Sequence, residues 1–329
     1  MLLNLLEMPF QELSVIKSAF PNLRNLVYSA PMSELGAKII VLIGPTASGK
    51  SSLAVALAIK IGGEIISADS RQVYRGLDIG SGKIQKSEMK GVRHHLLDIA
   101  SPKRVYSASD FVRDGRTAIA DIQKRGKIPI ICGGTGFYID VLLGRISLPQ
   151  VDADPILRAA LENKSVTQLF TLLKKKDPVR AVQMDTSSER NNKVRLIRAL
   201  EVAVSNKKHS KIPSIPGEVQ WLGISYAQKK LDTRIIKRLK SRLKSGMVAE
   251  AQRLHVAGLS YKRMESLGLE YRSLSRFLRC IITQAELESE LLHDIRAYSK
   301  RQITYWRRNQ HITWLPAPVT ASQAIQHLV

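Results

Sequence analysis

The octet Gly44-Pro45-Thr46-Ala47-Ser48-Gly49-Lys50-Ser51 constrains this chain more than any other feature. It meets the pattern G-x-x-x-x-G-K-[ST] at every specified position. Before it stands a short apolar run, Ile39-Ile40-Val41-Leu42-Ile43; after it Leu53, Leu57, Ala58 and Ile61 recur at helical spacing. A β-branched run of this length reads as a strand buried on both faces. The glycines let backbone amides turn inward and cradle phosphate oxygens. The following helix start adds a favourable dipole, Lys50 supplies a point charge, and Ser51 can hold Mg²⁺. All eight residues are therefore candidate diphosphate or nucleotide contacts, with Ser51 the metal-ligating candidate. The pattern says phosphate and leaves the phosphate compound open.

From Lys38 to Gly144 strand-like and helix-like segments alternate. Gly62-Gly63 stops the first helix, Glu64 to Asp69 reads as a second strand and His94 to Ile99 as a third. A helix over Phe111 to Arg125 stops at Gly126, and Ile128 to Cys132 forms a further strand. Repeated β-α-β predicts a parallel sheet covered by helices. After Pro149 only helical patterns follow, including Glu189 to Ser205 with Val194, Ile197 and Leu200-Glu201-Val202 at core-like spacing. A Pro- and Gly-bearing linker, Asn206 to Glu218, leads back to a strand at Val219 to Ser225. Long helices over Gln228 to Ser245 and Gln284 to Asn309 and a short strand at Ile312 to Leu315 complete the reading. The fold class is α/β: a P-loop core with a parallel sheet flanked by helices, plus an inserted all-helical domain. The expected division is an N-terminal extension over 1–36, a core over 37–145 and 215–329, and an insertion over 146–214.

Charge narrows the partners. Lys and Arg number 51 against 28 Asp and Glu, a net charge of +23. Residues 1–150 carry +7 and residues 151–329 carry +16, so the surplus lies mainly outside the first α/β segment, where a polyanion can be gripped. No apolar run approaches the roughly 18 residues of a membrane span, so no membrane partner is expected. The first 31 residues lack a basic n-region, and Glu7 and Glu12 interrupt their apolar stretch, which makes a poor signal peptide. They read as an accessory extension, or as the product of a start codon placed ahead of Met32. The two cysteines, Cys132 and Cys280, are far apart and without metal-ligand spacing, which fits a cytoplasmic protein with reduced thiols.

Asp69 closes the second strand, at the carboxyl edge where open α/β sheets bind ligands, and Ser70-Arg71-Gln72-Val73-Tyr74 follow. A carboxylate facing a phosphate loop can bind Mg²⁺ through water or act as a general base; a helix cap or a surface ion pair is the bland alternative. The strand-end acid of ordinary NTPases is ambiguous here. Ile128 to Cys132 runs into Gly133 with no acid, and Asp98 is the only competitor. Gly133-Gly134-Thr135-Gly136 makes a second strand-to-helix turn that can approach a ligand closely, or whose glycines serve plain tight packing. His94 and His95 point to opposite faces of a strand and cannot share one metal.

Several runs together resemble the tRNA dimethylallyltransferase family. They are Gly44 to Ser51, Ser67 to Gly80 with its Asp-Ser-x-Gln-Val-Tyr-Arg-Gly core, His94 to Ile99, Tyr106 to Ala108, Gly126 to Ile130, Gly133 to Tyr138, Arg195 to Glu201 and Lys300 to Thr304. The resemblance spans Ile39 to about Arg308 in order. Ser81-Gly82-Lys83, Arg93, Asn192 and Leu269 depart from the usual family residues without removing a group assigned to chemistry. The resemblance implies transfer of a dimethylallyl group from its diphosphate to the exocyclic amine of the adenosine 3′ to the anticodon, with Mg²⁺ as cofactor. Its implied partners are tRNA, through the anticodon stem-loop, and dimethylallyl diphosphate, with the monomer as working unit. It implies Asp69 as general base, and Lys50 and Arg234 on the leaving diphosphate. For tRNA it implies contacts from Asp69, Ser70, Arg71, Gln72 and Thr135, and from Asn192, Lys193, Val194 and Arg195 in the insertion. From pattern alone Arg234 would pass for a solvated helix residue. A small-molecule kinase would share the loop without needing the basic surplus, and an RNA-binding protein without catalysis would leave the loop and Asp69 idle.

Overall fold

The computed structural model describes residues 38–149, 151–205, 213, 215 and 217–328. The expected extension over 1–36 and most of the 206–218 linker lie outside the described residues. In chain order the elements are β1 (Ile39–Ile43), α1 (Lys50–Ile61), β2 (Gly63–Ser67), α2 (Lys86–Met89), β3 (His94–His95), α3 (Ala108–Lys124), β4 (Ile128–Gly133) and α4 (Gly136–Leu142). Next come α5 (Pro155–Glu162), α6 (Val166–Lys176), α7 (Pro178–Gln183), α8 (Ser187–Arg190) and α9 (Lys193–Ser205). The chain continues with β5 (Val219–Ser225), α10 (Gln228–Lys244), α11 (Met247–Val256), α12 (Tyr261–Leu267), α13 (Leu269–Leu278), α14 (Gln284–Arg307), β6 (Ile312–Pro316) and α15 (Ala321–Ile325).

The six strands form one parallel sheet in the order β3-β2-β4-β1-β5-β6. Every residue of β1 is buried, and its side chains alternate between two cores. Ile39, Val41 and Ile43 pack with Phe111 and Ile119 of α3, Ile139 of α4 and Trp306 of α14. Ile40 and Leu42 pack on the other face with Leu53 and Leu57 of α1 and Ala324 of α15. Each fully buried aliphatic side chain contributes about 1.5–3 kcal/mol, so the sheet is pinned from both faces. The sheet order also gathers the chemistry. β4 lies between β1 and β2, so the turns that leave β1, β2 and β4 emerge side by side at one carboxyl edge.

Two strand expectations need correction. The second strand ends at Ser67, which puts Asp69 in the turn beyond it. The third is only His94–His95, because Leu96 (φ 63°) and Asp98 (φ 55°) take left-handed backbone and swing the chain toward Ala100, which bridges to Tyr74. The two histidines do diverge: His94 Nδ1 meets the Val92 carbonyl and His95 Nε2 meets Glu64.

Helices α5 to α9 have a core of their own, with Leu169, Phe170 and Leu173 of α6 against Leu196, Ile197 and Leu200 of α9. The chain enters this block after α4 and returns to β5, which pairs with β1 at the centre of the sheet. Val194 corrects the spacing argument. It is 77% exposed, one turn before the buried Ile197. Glu201 is buried instead, holding Arg158 at 2.7 Å and Arg198 at 3.0 Å. A third core packs Val73, Tyr74 and Leu77 under Leu231 and Ile235 of α10 and Leu291 and Ile295 of α14. The C-terminal helices thereby wall the carboxyl edge of the sheet.

Candidate active site

The phosphate loop needs glycine at its end: Gly49 sits at φ 87°, a conformation that side chains strain. Ala47 takes a positive φ of 62° without that freedom, and its carbonyl is held by Arg234 Nε at 2.7 Å. The Thr46 amide donates to Gln302 Oε1 at 2.8 Å and its hydroxyl accepts from Arg238 at 3.1 Å, while the Ser48 amide closes onto Pro45 O at 3.2 Å. Among the described residues no carbonyl accepts from the amides of Gly49, Lys50 or Ser51. Of the eight loop residues, those at the start of α1 therefore have amides without a carbonyl partner. Thr46, Ala47, Gly49, Lys50 and Ser51 line a cavity of about 830 Å³. Gly44, Pro45 and Ser48 do not line it, and Ser48 Oγ is a buried hydroxyl with no partner among the described residues.

Asp69 lines the same cavity as Lys50 and Ser51. Its Oδ1 accepts from the amides of Arg71 at 2.8 Å and Gln72 at 3.3 Å, so that oxygen caps the turn after β2 and not a helix. Ser70 is fixed from the next turn, where Thr135 Oγ1 accepts from its amide at 3.0 Å. Ser70, Arg71 and Gln72 all line the cavity, and Thr135 supports it from behind. Lys50 reaches the Pro45 carbonyl at 3.3 Å. Burial pulls its pKa below the ordinary lysine value; Cys132 and Asp69 oppose that pull and Arg238 adds to it. Burial pushes the Cys132 thiol up to about 11, which keeps this cavity-lining cysteine protonated and inert.

Of the opposite wall, sequence reasoning named Arg234, which lines the cavity, and missed most of the rest. Arg234, Lys237, Arg238, Ser241 and Arg242 present one face of α10, and Asp294, Ile295, Tyr298, Arg301 and Gln302 one face of α14. The repeat of arginine at 234, 238 and 242, four residues apart, was the available signal. Arg238 also donates to Gly82 O at 2.9 Å, and Arg242 to Ile79 O at 2.7 Å, so both guanidiniums strap the 78–83 segment to the wall. The lining holds nine basic and four acidic residues, a surplus suited to an anion.

Asn192, Lys193, Val194 and Arg195 are not brought to this cavity. They sit where α9 begins, with Asn192 Oδ1 accepting from the Arg195 amide at 3.2 Å, Lys193 reaching the Glu162 carbonyl and Arg195 paired with Glu189. Asp98, the competing strand-end acid, is paired with the buried Lys83 and does not line the cavity. No helix among the described residues is long and apolar enough to cross a membrane.

A parallel α/β sheet with a phosphate loop at its carboxyl edge and a basic cavity over it defines the P-loop class. Within that class, the sequence pattern of the IPP transferase family matches residues 72–309, and the chain belongs to that family. It is 39% identical over 280 residues to a tRNA dimethylallyltransferase of Leuconostoc citreum, covering 84% of this chain and 93% of that one. It is 41% identical to a tRNA dimethylallyltransferase 2 of Treponema denticola, covering 82% and 91%. The crystal structure of a tRNA isopentenylpyrophosphate transferase from Bacillus halodurans superposes with a TM-score of 0.66 at 33% identity, covering 89% of this chain and 94% of that one. A eukaryotic dimethylallyltransferase acting on tRNA shares the fold, with a TM-score of 0.73 at 24% identity over 89% and 76% of the two chains.

Proposed function

We propose that this chain transfers a dimethylallyl group from dimethylallyl diphosphate to the exocyclic amine of the adenosine 3′-adjacent to the anticodon of tRNA, releasing diphosphate. The observation that carries the reading is one basic cavity lined by Lys50 and Ser51 of the phosphate loop and by Asp69. The names of the relatives point the same way.

In this reading the diphosphate lies against the free amides at the start of α1, with Lys50 and Arg234 as charge-assisted donors. The allylic C–O bond breaks and its electron pair leaves on the diphosphate, where those donors meet the growing charge. The adenine nitrogen forms the new N–C bond and gives its proton to Asp69, whose second carboxylate oxygen is not used by the cap. A hard cation fits the donor set, since the Ser51 hydroxyl and the Asp69 carboxylate line the same cavity and Mg²⁺ prefers a few such oxygens together with phosphates. Bound there, Mg²⁺ would supply further charge neutralisation on the leaving group.

The target base has to leave the anticodon-loop stack, which costs a few kcal/mol. Ser70, held by Thr135, and Arg71 and Gln72, held by Asp69, receive it in this reading. The insertion over 146–214, with Asn192 to Arg195 at the head of α9, grips the anticodon arm together with the C-terminal helices, and the +16 carried by residues 151–329 suits that task. Competition of labelled dimethylallyl diphosphate against γ-labelled ATP tests the reading. Label enters tRNA from the first only; phosphate transfer from the second would establish the kinase alternative.

A further inference from the structure

We infer that Gln302 is a positioning residue: its buried amide ties the phosphate loop to the turn carrying Thr135, so that diphosphate and acceptor base are held in one register. The inference rests on the transfer reading above. Gln302 lies on α14, is 3% exposed, and uses both ends of its amide. Oε1 accepts from the Thr46 amide at 2.8 Å, and Nε2 donates to the Gly134 carbonyl at 3.1 Å. The place is built for it, because a Cβ on Gly134 would fall 2.0 Å from Nε2. Breaking either bond leaves a buried polar group unsatisfied, so the bridge is held at both ends.

The path continues on both sides. Beyond Gly134, the Thr135 amide donates to Ala68 O at 3.1 Å and Thr135 Oγ1 accepts from the Ser70 amide at 3.0 Å, next to Asp69. On the loop side, Arg238 holds the Thr46 hydroxyl and reaches Gly82. Gln302 thus joins the loop proposed to hold the leaving group to the turn proposed to hold the base. Although the side chain borders the cavity, both bonds of its amide go to protein, to the loop and to the turn, and through those two neighbours it acts. Displacement at carbon depends on the alignment of nucleophile and leaving group, and a misplacement of about 1 Å costs about 10²-fold in rate.

Two measurements on the full chain test this. In transfer assays, Gln302→Met should lower kcat by about 10²-fold while KM for each substrate stays within about 3-fold of wild type. Gln302→Glu keeps an acceptor for Thr46, sets a carboxylate against the Gly134 carbonyl, and serves if the Met variant fails to fold. In hydrogen–deuterium exchange, pyrophosphate with Mg²⁺ should slow residues 44–51 and also residues 133–138 in wild type. In either variant the slowing should stop at 44–51. A variant that relays protection to 133–138 as wild type does, or a wild type that never relays it, overturns the bridge. A loss of affinity with unchanged kcat overturns the positioning role. A wild type that relays protection yet transfers no prenyl group sinks the transfer reading and with it the role in that reaction, whereas the bridge fails only on the exchange result.

Discussion

Asp69 has two separable duties, and two substitutions pull them apart. Oδ1 caps the turn through the amides of Arg71 and Gln72, at 2.8 and 3.3 Å, and the other oxygen is the proposed base. Asp69→Asn keeps a capping oxygen and loses the base; Asp69→Ala loses both. Removing a positioned general base costs about 10²- to 10⁴-fold in kcat, or about 3–5 kcal/mol of transition-state stabilisation, and both variants should show it. Removing a capping oxygen costs about 1 kcal/mol of stability, so only Asp69→Ala should also melt a few degrees lower. The assay is single-turnover transfer from labelled dimethylallyl diphosphate to unmodified tRNA, with a thermal melt on each protein. An Asn variant within about 3-fold of wild-type kcat would remove Asp69 from proton transfer. An Ala variant with an unchanged melting temperature would refute the cap's contribution.

Lys50→Ala should weaken diphosphate binding and slow transfer together, since it removes a contact that tightens as the leaving group departs. Arg234→Lys should fall between wild type and Arg234→Ala in kcat/KM for dimethylallyl diphosphate, because a lysine can take the Ala47 carbonyl or the diphosphate but not fork to both; three equal values would take Arg234 out of the site. Affinity for tRNA should fall steeply with salt, and Arg195→Ala should flatten the log–log slope by up to about 0.9, one phosphate's worth; equal slopes would leave its pairing with Glu189 as its whole role. Arg198 is no such reporter, because it pairs with the buried Glu201 and the Val151 carbonyl; Arg198→Ala should lower the melting temperature instead. The Arg125 guanidinium bonded to buried Glu64 brings the carboxyl down to about 2, with His95 and Lys127 helping. A folded pKa below the unfolded value near 4.5 means that this stabilisation is complete above pH 4.5 and is lost as pH falls toward 2. Acid unfolding of Glu64→Gln should accordingly depend less on pH across that window than acid unfolding of wild type.

The parts of this molecule legible in sequence are those where one local pattern carries the information. The apolar β1 and the glycine-bounded loop after it were legible, and Asp69 lies two residues beyond the strand it was expected to close. What was not legible depends on contacts between distant segments. Arg238 meets Thr46 across 192 residues and Gln302 meets it across 256, and helical periodicity says which face turns inward without saying what it meets. Backbone sign was equally hidden. Nothing in His94 to Ile99 announces that Leu96 and Asp98 turn left-handed, so the run read as one strand. Val194 failed for a related reason: an apolar residue at a near-core position on α9 still falls outside the stripe that contains Ile197 and Leu200. The four residues proposed for tRNA at the head of α9 have local partners or open exposure, and RNA contact there rests on charge and family likeness.

The measurement closest to the central claim is the fate of labelled dimethylallyl diphosphate incubated with the protein, Mg²⁺ and tRNA lacking the modification, read by digesting the tRNA and locating the label. The account predicts label on the exocyclic nitrogen of the adenosine 3′ to the anticodon, with one diphosphate released per group transferred and none of either with Asp69→Asn on the same timescale. Diphosphate release without labelled adenosine, or label at another nucleotide, would contradict it.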